Sequence, residues 1–443
     1  MTTTDDEQPR QAPDGQEHHL PHERMMRVGT TKAPDRRISL LLLLLLVGLL
    51  GRAGGWPLLV VVAAIVVMIF LHELGHFITA KLSGMKVTEF FFGFGPKLWS
   101  FRRGETEYGV KAIPAGAYVR IIGMNNLEEI APEDEPRTYR AQSYPRRLLV
   151  GVAGSGMHFL QALACLFLML TLTGAPGGHV FIDNIHEWQI VQVDGGTAAS
   201  AAGLQPGDRI VAIDDQNVKD FEQLHDLVVA RPGKTVALTV QRQGAQFSVT
   251  TQLANEDGHG KLGVHSGFPP RQKVGVVTAT GRTFVEFGTG VKESLSALGS
   301  FFSPSGLSNF ASDVFNGGSP TVTSDGSTSS GSQQTSEVKD RPVSIVGAAI
   351  IGSDLTREGL YAFLGFFATI NLFIGIVNLA PLLPLDGGHV IIATYERIRS
   401  RRGRRYQVDV VKLLPLTYAV VMVLGLLFVS TLFLDLADPI RIN

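Results

Sequence analysis

Four long apolar segments constrain this chain more than any other feature of its sequence. Crossing the roughly 30 Å hydrocarbon core of a bilayer takes a helix of about 20 apolar residues, and residues 56–82, 148–172, 360–383 and 413–434 reach or approach that length. Only 18% of the 443 residues are charged and the mean hydropathy is positive, which excludes a wholly soluble chain. The 39 Lys+Arg against 40 Asp+Glu point to no nucleic-acid partner. The one cysteine, Cys165, lies in an apolar run, so neither an internal disulfide nor a cysteine-held zinc cluster is available. Any metal must be held by histidine and carboxylate side chains.

A leucine-rich stretch at residues 38–55 is a candidate for an extra transmembrane helix. It is short for a span, but Arg36 and Arg37 before it and Arg52 within it can snorkel to the interfaces. A signal-peptide-like core or a surface helix is the alternative. Basic residues orient the spans. The loop 83–147 ends in Arg146-Arg147, and the loop 395–412 carries Arg397, Arg399, Arg401, Arg402, Arg404 and Arg405, so both are expected on the cytoplasmic side. Residues 175–208 hold no Lys or Arg and the tail 436–443 holds one, so those face outward. Residues 1–37 are polar, carry Arg24, Arg27, Lys32, Arg36 and Arg37, and read as a disordered cytoplasmic tail.

Inside the first long span stands Phe70-Leu71-His72-Glu73-Leu74-Gly75-His76-Phe77. On a helix His72 and His76 are one turn apart on one face, so both imidazoles can reach one tetrahedral ion. Glu73 lies beside that face, placed to take a proton from a metal-bound water. Histidines that merely bond backbone carbonyls are the bland alternative, but ionisable groups in lipid are costly to keep idle. Catalytic zinc usually has three protein ligands, and the third span ends Asn378-Leu379-Ala380-Pro381-Leu382-Leu383-Pro384-Leu385-Asp386-Gly387-Gly388-His389. Pro381 and Pro384 break the helix, and the freed backbone groups must line protein or water. Asp386 falls at the same depth as the two histidines and is the candidate third ligand; a helix-terminal turn aspartate is its alternative role.

Together these motifs resemble the site-2 proteases, a family of zinc intramembrane metalloproteases, over about residues 57–435. Further matches are Gly93-Phe94-Gly95-Pro96, Gly104-Glu105-Thr106-Glu107-Tyr108, Lys111-Ala112-Ile113-Pro114-Ala115-Gly116-Ala117-Tyr118-Val119 and Arg341-Pro342-Val343-Ser344-Ile345-Val346-Gly347. The resemblance implies zinc on His72, His76 and Asp386, Glu73 as general base, and Asn378 as a residue that helps hold substrate extended. One departure stands out. The family usually has Gly-Pro-x-x-Asn early in the second span, where this chain has Gly154-Ser155-Gly156-Met157-His158. His158 either bonds a neighbouring helix or acts beside the metal, orienting a ligand or relaying a proton.

The expected fold is therefore a polytopic α-helical membrane protein with four core transmembrane helices, a membrane-associated β segment and an inserted α+β PDZ-like domain. Alternation around Val87, Phe90, Phe91 and Phe92, and again from Tyr108, predicts strands within loop 83–147; in the family such a sheet offers an edge to an extended peptide. Residues 175–255 contain short strands at 190–193, 209–213, 235–240 and 247–251 and a helix at 221–229. Their Ala201-Ala202-Gly203-Leu204-Gln205-Pro206-Gly207-Asp208-Arg209-Ile210 resembles the loop of PDZ domains. Residues 256–358 supply a surface helix at 285–302 and a flexible Ser/Thr/Gly-rich insertion at 317–337. Transmembrane helices are expected at 56–82, 148–174, 359–394 and 413–435.

The implied function is zinc-dependent endopeptidase cleavage of single-span membrane proteins in regulated intramembrane proteolysis, at the bacterial plasma membrane, with the active site near the cytoplasmic side. A trimmed anti-sigma factor or a signal-peptide remnant is the substrate class the resemblance suggests. A catalytically silent PDZ membrane scaffold is opposed by the intact His72, Glu73, His76 and Asp386. A metal transporter is opposed by the absence of an internal repeat.

Overall fold

The computed structural model describes residues 36–124, 128–176, 188–267, 271–315, 342–400 and 406–437. The Ser/Thr/Gly-rich stretch, Arg341, the arginines of 401–405 and nearly all of the two tails lie outside the described residues. The architecture is a polytopic helical membrane protein with a β region. Among the described residues, four helical segments are long and apolar enough to cross a membrane: Val47–Leu82, Tyr144–Thr173, Leu360–Asn378 and Val410–Ala437.

Helix α1 (Arg36–Leu82) covers 47 residues but leaves helical geometry at Gly55, with φ 70° and ψ −164°. An unbroken helix of that length would extend about 70 Å, over twice the hydrocarbon thickness. The break divides it into a leucine-rich piece before Gly55 and the motif-bearing piece after it, and Arg357 donates to the Gly54 carbonyl at 3.2 Å.

Strands β1 (Val87–Arg103) and β2 (Thr106–Ile121) follow, and their pairing is doubled. Phe90 faces Val119 on one side and Tyr108 on the other, while Phe101 faces Tyr108 and Arg102 faces Glu107. Residues 89–92 therefore sit in the middle of a folded-over sheet, with the run 117–121 at one edge. Aromatic contacts fix the sheet to α1: Phe90 lies 5.5 Å from Phe70 and 5.1 Å from Phe77, centroid to centroid.

Glu105, at the tip between the strands, bridges Lys81 at 2.6 Å and Arg137 at 2.7 Å. The Arg137 guanidinium, seconded by Lys81, holds the Glu105 carboxyl below its ordinary range against the opposing push of burial. A depressed carboxylate contributes stability above its unfolded pKa and loses it as pH falls through the folded value. Glu105→Gln is thus expected to cost about 1 kcal/mol or less near neutral pH. The difference in melting temperature from wild type should close below about pH 4; a gap that persists in acid would assign the effect to packing.

Helix α2 (Tyr144–Leu168) ends in a π-helical turn, Met169–Thr173, and leads to the short β3 (Ala175–Pro176). It is the hub of the bundle, packing on α1 and on three later helices, because its buried face is built from small residues, Gly151, Gly154, Ser155 and Ala162, that allow backbones to approach.

The soluble unit runs β4 (Gln189–Val193), α3 (Ala198–Ala201), β5 (Arg209–Ile213), β6 (Gln216–Asn217), α4 (Phe221–Val229), β7 (Thr235–Arg242), β8 (Ala245–Gln252), β9 (Ala254–Glu256), β10 (His259–Lys261) and β11 (Val264–Gly267). A four-stranded sheet has the order β6-β5-β7-β8, and β11 pairs with β4. Ile190, Ile210, Leu224 and Leu238 are fully or almost fully buried in its core. Asp220 caps α4 by accepting from Gln223 N–H at 2.8 Å. The β11–β4 pairing carries this unit to Gly267, past the boundary expected at 255. The returning β12 (Arg271–Gln272) pairs with β3.

Helices α5 (Val276–Phe301) and α6 (Pro304–Phe315) come next, then α7 (Ile345–Glu358), α8 (Leu360–Asn378), α9 (Asp386–Arg399) and α10 (Leu414–Ala437). The transmembrane segment expected over 359–394, with its break at Pro381 and Pro384, is two helices, α8 and α9. Pro381 and Pro384 occupy the turn between α8 and α9, where neither ring can continue a helix. A buried ion pair, Arg147 to Glu396 at 2.6 Å, joins the start of α2 to α9. Helix α10 is tied to α7 by Asp435, whose carboxylate accepts the Ser344 N–H at 2.7 Å.

Candidate metal centre

The second piece of α1 presents His72 and His76 on the face that meets α2, and the turn after α8 brings Asp386 to the same place. The His76 and His72 Nε2 atoms are 3.3 Å apart. Asp386 Oδ2 lies 3.3 Å from His76 Nε2 and 3.5 Å from His72 Nε2. Ligands about 2.0–2.1 Å from a tetrahedral zinc stand roughly 3.3–3.4 Å from one another, so the triangle has the dimensions of one face of that tetrahedron.

The donor chemistry points the same way. His76 donates from Nδ1 to the Val150 carbonyl at 2.8 Å, which leaves Nε2 with a lone pair facing Asp386 Oδ2. Two lone pairs at that distance repel unless a proton or a cation lies between them. Asp386 Oδ2 and His72 Nδ1 are both buried without a hydrogen-bond partner among the described residues. Of all His, Cys, Asp and Glu side chains described, these three form the one group whose ligand atoms lie within 4.8 Å of one another.

Two glycines make this convergence possible. A Cβ on Gly154 would stand 2.3 Å from His72 Cε1 and 2.4 Å from His76 Nε2, so the two imidazole rings occupy the space a side chain would fill. A Cβ on Gly387 would stand 2.2 Å from the Leu379 carbonyl oxygen, so only glycine lets the first turn of α9 fold back on the end of α8. Asp386 is the first residue of α9, where the helix dipole favours a carboxylate.

Glu73 is half-buried, with its carboxylate turned toward the backbone amide of Val119 in β2 and toward His76 and Asp386. That places the edge run of the β sheet beside the cluster. Asn378 closes α8 and is half-buried; none of the cluster's hydrogen bonds or ion pairs among the described residues involves it. His158 is 2% exposed, and its ring centroid is 5.0 Å from that of His72. Its Nδ1 lies 2.9 Å from Asn371 Oδ1 on α8, so it bonds a neighbouring helix and stands beside the cluster at once. Asn371 went unnoticed in the sequence, although an amide in the middle of the apolar α8 is the kind of residue that signals a buried polar contact.

A family model described as Peptidase family M50 matches residues 60–424. Zinc metalloprotease Rip1 of Mycobacterium tuberculosis is 34% identical over 410 aligned residues, covering 85% of this chain and 96% of that protein. Rip1 of Mycolicibacterium smegmatis is 33% identical over 419 residues with the same coverage. The family match takes in the helices that carry His72, His76 and Asp386, and the two relatives align along nearly their whole length. On these grounds the chain belongs to peptidase family M50, the site-2 proteases, and is a zinc metalloprotease.

Proposed function

We propose that this protease cuts single-span membrane proteins within or beside their membrane segment, using His72, His76 and Asp386 as zinc ligands and Glu73 as general base. The observation that carries this reading is the triangle of ligand atoms, 3.3 to 3.5 Å on a side, inside apolar helices. Bound zinc supplies a Lewis acid that polarises a scissile carbonyl and makes an attacking water more acidic. The Glu73 carboxylate takes the proton of that water and hands it to the nitrogen of the leaving amine. The apolar walls of α1, α2 and α8 keep other water away from the reacting carbonyl.

A substrate helix hides its amides and must be opened before attack. The edge run 117–121 of β2 is suited to hold the opened segment by backbone hydrogen bonds, and Val119 in that run adjoins Glu73. Asn378, the last residue of α8, bonds an extended peptide through its amide in this reading. The soluble unit from β4 to β11 is PDZ-like in this reading and takes a chain terminus or a strand beside α4.

Charge orients the whole. The basic loops after α1 and α9 face the cytoplasm, the soluble unit faces outward, and the site lies near the cytoplasmic side of a bacterial plasma membrane. A regulator such as an anti-sigma factor, trimmed from outside, would release its cytoplasmic part on cleavage; signal-peptide remnants are the second substrate class.

The test uses the full chain purified in detergent with a model single-span substrate. Asp386→Ala is expected to lose bound zinc, measured by metal analysis after dialysis, and to lose cleavage with it. Undiminished zinc in that variant would remove Asp386 from the ligand set, and wild-type protein that fails to cut any single-span substrate would overturn the substrate class.

A further inference from the structure

The two histidines of the cluster are supported unequally. His76 donates its Nδ1 proton to Val150 at 2.8 Å, whereas His72 Nδ1 is buried with no hydrogen-bond partner among the described residues. An imidazole that binds a metal through one nitrogen almost always gives the other N–H to an acceptor, which fixes its tautomer and its angle. The Gly154 backbone lies against the same ring, but no acceptor meets hydrogen-bond geometry at Nδ1, so the acceptor for His72 is still to be assigned.

His158 has the chemistry and the place to be that acceptor. Asn371 donates from Nδ2 to the Phe367 carbonyl at 2.8 Å, one turn back on α8. That bond turns Oδ1 toward His158, whose Nδ1 lies 2.9 Å away. An oxygen acceptor at Nδ1 puts the imidazole proton there, and the lone pair of neutral His158 is then on Nε2. Two imidazoles joined by an N–H to N bond of about 2.9 Å have centroids about 5 Å apart. The His72 and His158 centroids already stand at 5.0 Å, with the rings tilted by 47°. The two rings are therefore near enough for such a bond once the His72 Nδ1 and His158 Nε2 atoms face each other. His158 itself lies outside the group of ligand atoms within 4.8 Å of one another.

We propose that His158 is a positioning residue for His72: its Nε2, freed by the Asn371 contact at Nδ1, accepts the His72 Nδ1 proton when His72 holds zinc through Nε2. The proposal rests on His72 being a zinc ligand. The chain from Phe367 through Asn371 and His158 to His72 makes α8 a support for a ligand carried on α1.

Zinc affinity of the full-length protein in detergent, read by competition with a chromophoric chelator, tests this without recourse to activity. His158→Ala is expected to weaken zinc binding about 10–100-fold. His158→Gln, which keeps an acceptor at the position of Nε2, should recover most of the loss, and a merely space-filling role would not distinguish the two in this way. Asn371→Leu should weaken binding in the same direction, and the double variant with His158→Ala should be no worse than His158→Ala alone, because both remove one interaction. His158→Ala within about twofold of wild type, or Gln no better than Ala, would overturn the proposal. So would a cobalt-substituted His158→Ala protein whose visible spectrum reports a change in coordination number, since His158 would then be a ligand itself. His72→Ala, run in parallel, keeps the two readings apart. If it retains zinc, the ligand set fails; if it loses zinc while His158→Ala does not, only the positioning role fails.

Discussion

Glu73→Gln is expected to lower the single-turnover rate of cleavage by about 10²–10⁴-fold while zinc content stays at the wild-type level. The substitution is nearly isosteric, and the amide oxygen of Gln can still accept from the Val119 amide that Glu73 faces, so the β-sheet edge stays in register with α1. No ligand atom is removed, because the three that converge belong to His72, His76 and Asp386. What disappears is a group able to take a proton from water and return it to the amine. Measuring rate and metal on the same preparation separates the base from the ligands. A variant that holds zinc and cuts within a few-fold of wild type would end the assignment of Glu73 as the base.

Gly154→Ala should produce the second large effect by a different route. The added methyl would overlap both ligand rings, at 2.3 Å from His72 Cε1 and 2.4 Å from His76 Nε2. Ordinary overpacking costs about 1–3 kcal/mol, and here it falls on the proposed metal ligands, so zinc affinity should drop on the order of 100-fold and cleavage should fall below detection. Gly156→Ala is the matched control on the same helix: a Cβ there meets nothing within 4 Å, and a helical Gly→Ala change should stabilise by up to about 1 kcal/mol. Equal zinc affinities for the two variants would show that α2 does not press on the ligands.

The pattern of local residues carried much of the result. His72 and His76 announce themselves by one-turn spacing inside an apolar helix, and α4 covers the expected 221–229. The break after α8 follows from Pro381 and Pro384. Other features depend on partners distant in the chain. Nothing near Gly154 in sequence says that two imidazoles will fill its missing side chain, and Asn371 is one amide in an apolar run until α2 lies against it. Alternation predicted strands at 87–121 but not that Phe90 would be flanked on both sides, because a strand paired at both edges has the same period as one paired at a single edge. Helix α5 begins at Val276, earlier than the expected 285. Its first turns, rich in Val, Thr and Gly, have weak intrinsic helix preference, so packing against α2 and α8 and not local propensity sets that boundary.

The separation of the proposed ligands along the chain also sets an order of events during synthesis. His72 and His76 emerge early, but Asp386 follows roughly 300 residues later, after the soluble unit and α8. Until α9 docks against α2, the two imidazoles stand without Asp386, and a metal bound there would lack a charge-neutralising carboxylate. The Arg147 to Glu396 pair that seats α9 comes into being at the same late step. With Asp386 as third ligand, a ribosome-bound chain is an incomplete protease until α9 is in place, and the proposed site is completed only when the bundle is nearly finished.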